Sequence, residues 1–158
     1  MSETMRTLDL DTLTLGTGAH TAGGDQMCVM EACAYIAGEP WSDHPQCVSR
    51  VIAAFMRNWN DSLQEPPRTA LLRPLLPLVI GTRTTDADEE TRAWMATDWL
   101  VRVQAPAWMD LTEQLKPHAA ALRALPSLTN SEIATACASV LDAARNASAA
   151  AGAAAWDA

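Results

Sequence analysis

Basic residues are scarce in this chain: 11 Lys or Arg stand against 19 Asp or Glu over 158 residues, a net charge of −8. Only one of the basic residues is a lysine, Lys116. Such a balance cannot build the basic face that phosphate backbones need, so direct nucleic-acid binding is not expected. Docking to anionic membranes is disfavoured for the same reason. Long apolar runs are also missing. The best stretch, Ala70 to Ile80, is broken by Arg73, Pro74 and Pro77, well short of the roughly 20 residues a spanning helix needs. Met1 to Leu15 has neither a basic start nor an apolar run like a secretory leader, which leads us to expect a cytoplasmic protein. The chain has no G-x-S-x-G elbow, Walker A loop, strand-linked G-x-G-x-x-G or CxxC pair, so the common nucleophile, phosphate-loop and redox motifs are excluded. No internal repeat at a fixed period is visible.

What is abundant is alanine: 30 residues, 17 of them in the last 40. Alanine is the best helix former, so that end reads as helical by propensity. Hydrophobic residues make up 49% of the chain, enough to offset the cost of ordering it. The aromatics are skewed, with six Trp against one Tyr and one Phe. In a small helical domain such Trp residues serve as large core anchors; a ligand-stacking platform is the alternative.

Along the chain, Leu8-Asp9-Leu10 and Leu13-Thr14-Leu15 alternate and read as extended structure. Gly16, Gly18, Gly23 and Gly24 then read as a flexible lead into the first helix. Asp25 is a good N-cap for a helix from Gln26 to Ala37, which Gly38 would end. That helix is apolar nearly all round and so predicts a central, buried element. A loop through Pro40 and Pro45 leads to a second helix from Cys47 to Leu63. A short proline-bent helix spans Thr69 to Val79. An acidic start at Asp86 opens a helix carrying Trp94, Trp99, Leu100 and Val103, expected to end near Pro106. Short turns around Pro117 follow. Thr129 to Glu132 then has capping-box spacing ahead of the Ala-rich helix.

The fold class is therefore all-α: a compact single-domain bundle of about six helices with an extended N-terminal arm. Residues 1–24 form the arm and 25–128 the helical core. Residues 129–158 form an Ala-rich C-terminal helix of the same domain. Charge is uneven: residues 1–47 carry a balance of −6, and the two later segments −1 each.

Glu31 is the most informative residue, the one charge in an otherwise apolar helix. A buried carboxylate costs several kcal/mol unless answered, and Arg50, Arg57, Arg102 or His44 are the expected partners. Cys28 and Tyr35 flank it at i−3 and i+4 on the same face. One reading is a buried tie that fixes helix packing; the other is a general base or ligand in a pocket. A ligand or packing cluster of Cys28, Glu31, Tyr35, Trp41 and Asp43 follows. A metal set of Cys28, Glu31, His44 and Cys47 is conceivable but not favoured, because C-x2-E is a poor zinc half-site. A Cys47–His44 dyad has little support, and no cofactor is expected. The four thiols read as small buried hydrophobes. His20 and His118 read as surface residues, and Asp98–Arg102 as a helix-surface pair.

Met27-Cys28-Val29-Met30-Glu31-Ala32, with Gly38-Glu39-Pro40-Trp41-Ser42-Asp43, Pro45 and Cys47-Val48, resembles a family of uncharacterised proteins from actinobacteria and their phages. Trp59-Asn60-Asp61 and the segment from Met95 to Arg102 carry the same likeness. It implies an accessory or host-interaction role, but no activity and no functional residues. The leading expectation is thus a small helical accessory protein that acts through a protein partner or self-association. The alternative is an enzyme or small-ligand binder with a pocket around Glu31 and the Glu39–Cys47 loop. The third is an acidic mimic of nucleic acid, permitted by the net charge.

Overall fold

The first helix, α1 (Val29–Ile36), is buried along nearly its whole length, with Val29, Met30, Ala32, Cys33 and Ala34 at 0% exposure. The all-round apolar pattern had predicted this central position. Its start lies later than expected. Cys28 is the N-cap in extended geometry, and its Sγ accepts from the Glu31 N–H. The Glu31 carboxylate in turn accepts from the Cys28 N–H at 2.7 Å, closing a capping box. Gly38 ends the helix as predicted, at φ 74°, a left-handed conformation that costs glycine little.

A computed structural model describes residues 12–22 and 26–156, with side chains through residue 153. Leu8-Asp9-Leu10, Gly23, Gly24, the Asp25 cap and the Trp156 side chain lie outside what is described. Every regular element among the described residues is helical, which bears out the all-α class. The packing divides the chain into two compact units, one ending at Glu89 and one beginning at Glu90. The sequence had suggested internal divisions after residues 24 and 128 instead.

The first unit holds α1, α2 (Arg50–Ser62), α3 (Pro67–Leu72) and α4 (Leu76–Val79), with a 3-10 turn at Arg73–Leu75. Met30, Cys33, Val48, Met56, Leu72 and Leu76 form its core, joined by Leu13 and Leu15 of the arm. Helix α2 begins at Arg50 rather than near Cys47, because Ser49 caps it. Ser49 Oγ donates to Glu89 Oε2 at 2.9 Å, and that carboxylate also accepts from the Val51 N–H. An acceptor at a helix start satisfies otherwise orphaned N–H groups.

The boundary between the units falls within α5 (Asp86–Trp99), which runs on through a π turn (Leu100–Gln104) into α6 (Ala105–Met109). Pro106 therefore does not end the helix. The Ala105 N–H reaches back five residues to Leu100 O, and Pro106 enters in the first turn of α6, where a missing N–H is tolerated. The second unit continues with α7 (Lys116–Arg123), α8 (Ser131–Ala136) and α9 (Ala138–Trp156). Helix α7 packs on both α6 and α9, around Met109, Leu122, Leu125, Leu128 and Cys137. The Ala-rich segment is thus two helices joined at Cys137, and Asn130, not Thr129, supplies the cap by accepting from Ile133 N–H.

Candidate functional site

Glu31 is 1% exposed, and its two oxygens meet three donors. Oε1 accepts the His20 N–H at 2.6 Å; Oε2 takes the Cys28 N–H at 2.7 Å and faces His20 Nδ1 at 2.8 Å. The partner is therefore His20 of the arm, and neither an arginine nor His44. His20 is half-buried rather than a surface residue, and its carbonyl accepts the Trp41 indole N–H at 2.8 Å. A Cβ on Gly16 would lie 2.6 Å from His20 Nε2, so this glycine permits close approach of the ring rather than flexibility. The carboxylate caps α1 and holds the arm against it. Enclosed in this way, it has no open face toward a substrate.

The remaining members of the predicted cluster separate. Trp41 joins Glu31 through His20. Tyr35 is half-buried on the last turn of α1. Asp43 bonds His44 Nδ1 at 2.7 Å instead of turning to Glu31. Cys28 and Asp43 do meet, across a small cavity of about 200 Å³ that Gly18, Arg57, Asn60 and Asp61 also line. The metal set does not assemble: among the described residues no three His, Cys, Asp or Glu side chains gather to hold an ion. Cys47 Sγ lies 4.0 Å from Cys33 O, and His44 is exposed. Burial pushes the Cys28 and Cys47 thiols up to about 11 and raises Cys33 further. Such thiols stay protonated and unreactive, which removes the basis for a Cys47–His44 dyad.

Sequence reasoning missed the polar tie beside this cavity. Asn60 is fully buried; its Nδ2 donates to Gly16 O at 2.8 Å, and its Oδ1 accepts from the Val29 N–H. Arg68, also buried, donates to the carbonyls of Asn60, Leu63 and Leu15. Asp61 accepts the Gly18 N–H at 2.9 Å, and chiefly for this reason its carboxyl is held below the usual range. These side chains answer backbone groups of the arm that have no helix or sheet to pair them. The adjacent Asn60-Asp61 near the end of the second helix was the available signal.

In the second unit the helical run through α5 and α6 has two apolar sides. Trp94, Val101, Ala105 and Met109 turn inward to the core. Met95, Trp99, Leu100, Val103 and Trp108 do not: they are 67%, 47%, 54%, 53% and 66% exposed. The expectation that the Trp residues anchor the core thus fails for Trp99 and Trp108. An α-helix turns ~100° per residue, so residues spaced four apart drift by ~40° at each step. The wider π turn after Trp99 offsets that drift and keeps Met95, Trp99 and Val103 along one side. Asp98 is more than a surface partner of Arg102, because it also accepts the Leu128 N–H at 2.8 Å. It thereby fixes the loop before α8 to the helix that carries the exposed face. Comparison with models of known families, with curated proteins and with solved structures finds no match to this chain.

Proposed function

We propose that this protein acts by association, with the exposed side of the α5–α6 helix as its contact surface and a second copy of the chain as the occupant. The observation that carries this reading is the row Met95, Trp99 and Val103, left exposed beside Leu100 and Trp108. Contiguous apolar surface of this kind marks interaction sites, and Trp and Met are enriched at the centres of interfaces. A two-fold contact needs only one self-complementary patch. Two such helices paired antiparallel about Trp99 set Met95 of one copy against Val103 of the other and oppose their macrodipoles favourably.

Sedimentation velocity across a concentration series tests this. Dimer formation in the parent chain is expected, with loss of dimer in Trp99→Glu. A Met95→Cys/Val103→Cys double variant is expected to cross-link between copies under mild oxidation, and either single variant far less. A parent chain that stays monomeric at high concentration, or a dimer indifferent to Trp99→Glu, refutes the reading.

A further inference from the structure

In the first unit, three of the chain's few cationic side chains converge. A cavity of about 380 Å³ is lined by Arg50, Arg57 and Arg83, with His44 at its edge and Val48 and Ala53 among its apolar walls. Arg50, Ala53 and Arg57 share one side of α2 at i, i+3 and i+7 spacing. Arg83 comes from the turn after α4, whose Gly81 and Arg83 N–H groups both donate to Cys47 O. That turn is thereby held opposite α2, across the His44–Val48 loop.

The charges in this cavity are only partly answered by the protein: Arg50 pairs with Asp86, and Asp61 faces Arg57 from the neighbouring smaller cavity, where its carboxylate accepts the Gly18 N–H. Arg57 donates to the carbonyl of Asp43 at 3.0 Å and Arg83 to the side-chain oxygen of Gln46 at 2.9 Å, both neutral acceptors. Arg50 reaches Asp86, whose carboxylate is 99% exposed; a pair so open to water contributes little. Asp43 and Glu39 turn their carboxylates to His44 and to the Gln46 N–H rather than to a guanidinium of this cavity. Each guanidinium carries five N–H donors, so several remain for a ligand. Gathering three like charges opposes folding unless something offsets it, and in a chain with net charge −8 their convergence is against composition.

We infer that this cavity is a binding site for a small phosphomonoester. Three guanidiniums approaching from two sides of a concavity match the terminal oxygens of a tetrahedral dianion. A planar carboxylate, by contrast, is satisfied by a single fork. The volume is within the range of small-ligand pockets and exceeds what phosphate alone fills. Pro45, Val48 and Ala53 give the cavity an apolar side, which suits an apolar body attached to the phosphate.

The test is an NMR titration of the whole chain with phenyl phosphate, inorganic phosphate, benzoate and a short oligothymidylate. Phenyl phosphate is expected to shift the Val48 and Ala53 resonances saturably. It should bind more tightly than inorganic phosphate or benzoate, and the oligothymidylate should leave those resonances alone. Removing one charged donor set in Arg83→Gln, at an exposed position, is expected to weaken binding at least about tenfold. Arg57→Gln should do the same, with unchanged α1 resonances showing an intact fold. No shift up to about 10 mM phenyl phosphate overturns the site. So does equal binding of benzoate or inorganic phosphate, or binding unaffected by Arg83→Gln.

Discussion

Replacing Glu31 with glutamine changes one atom and tests whether the carboxylate holds the arm to α1. In the native chain three donors converge on its two oxygens, at 2.6, 2.7 and 2.8 Å. Glutamine keeps one acceptor and turns the other into a donor. Placed at Oε1, the amide N–H faces the His20 N–H. Placed at Oε2, it faces the Cys28 N–H, while His20 Nδ1 can switch tautomer and accept. Either way one backbone N–H is left unanswered in the interior, at about 1–3 kcal/mol, and the surviving bonds lose their charge assistance. The amide is cheaper to bury than the carboxylate, which offsets part of this loss. A net destabilisation of about 3 kcal/mol results, or roughly 12–24 °C in Tm for a unit of this size. Because two units need not melt together, the readout must be local. The Trp41 indole proton reports the His20 carbonyl, and hydrogen exchange at the His20 and Cys28 amides reports the cap. Both are expected to lose protection in Glu31→Gln, and His20→Ala, which spares the His20 amide bond, should cost less. A variant with unchanged local melting and full protection at both amides would refute the capping role.

Two further outcomes follow from the same unit. Asp61 has a depressed folded pKa, so its contribution is present above the ordinary carboxylate value near 3.9 and is lost as pH falls through the lower folded value. The Gly18 amide shift, followed by NMR from pH 6 downward, should titrate below that ordinary value; a midpoint at or above it removes the assigned bond. With the Cys28 and Cys47 thiols raised to about 11, the thiolate fraction at pH 8 is roughly 200-fold below that of a free cysteine. Mass spectrometry after iodoacetamide treatment should therefore show little native labelling and four labels in denaturant; fast native labelling at Cys28 would contradict its burial.

Much of the fold was legible because hydrophobic period and capping are local properties. The all-round apolar stretch Val29 to Ile36, the Gly38 stop and the acidic opening of α5 are written within a few residues of where they act. Glu31 is legible as a charge needing an answer, because it stands alone in an apolar helix. Its partner was not legible, because His20 lies in a segment without helical period and reaches Glu31 only when the arm folds back. The Cys28–Glu31 box was hidden by a residue rarely counted as a cap. Trp99 and Val103 were indistinguishable from core on composition, and only the π turn sorts the two sides of that helix. The convergence of Arg50, Arg57 and Arg83 was not legible, since it depends on the turn after α4 packing across the loop before α2.

The Arg68 tie has a consequence for how the chain is made. Its guanidinium bonds Leu15 O across 53 positions, and Thr69 accepts the Leu15 N–H across 54. A ribosome releases the N-terminal segment first, so Leu13 and Leu15 leave the exit tunnel long before the residues that will cover them. Contacts of such separation also form late in folding, once the loop between them has been closed. Until Arg68 arrives, those two leucines are a greasy, unpaired stretch on a growing chain. The arm of unit one is therefore secured by residues made more than fifty positions after it.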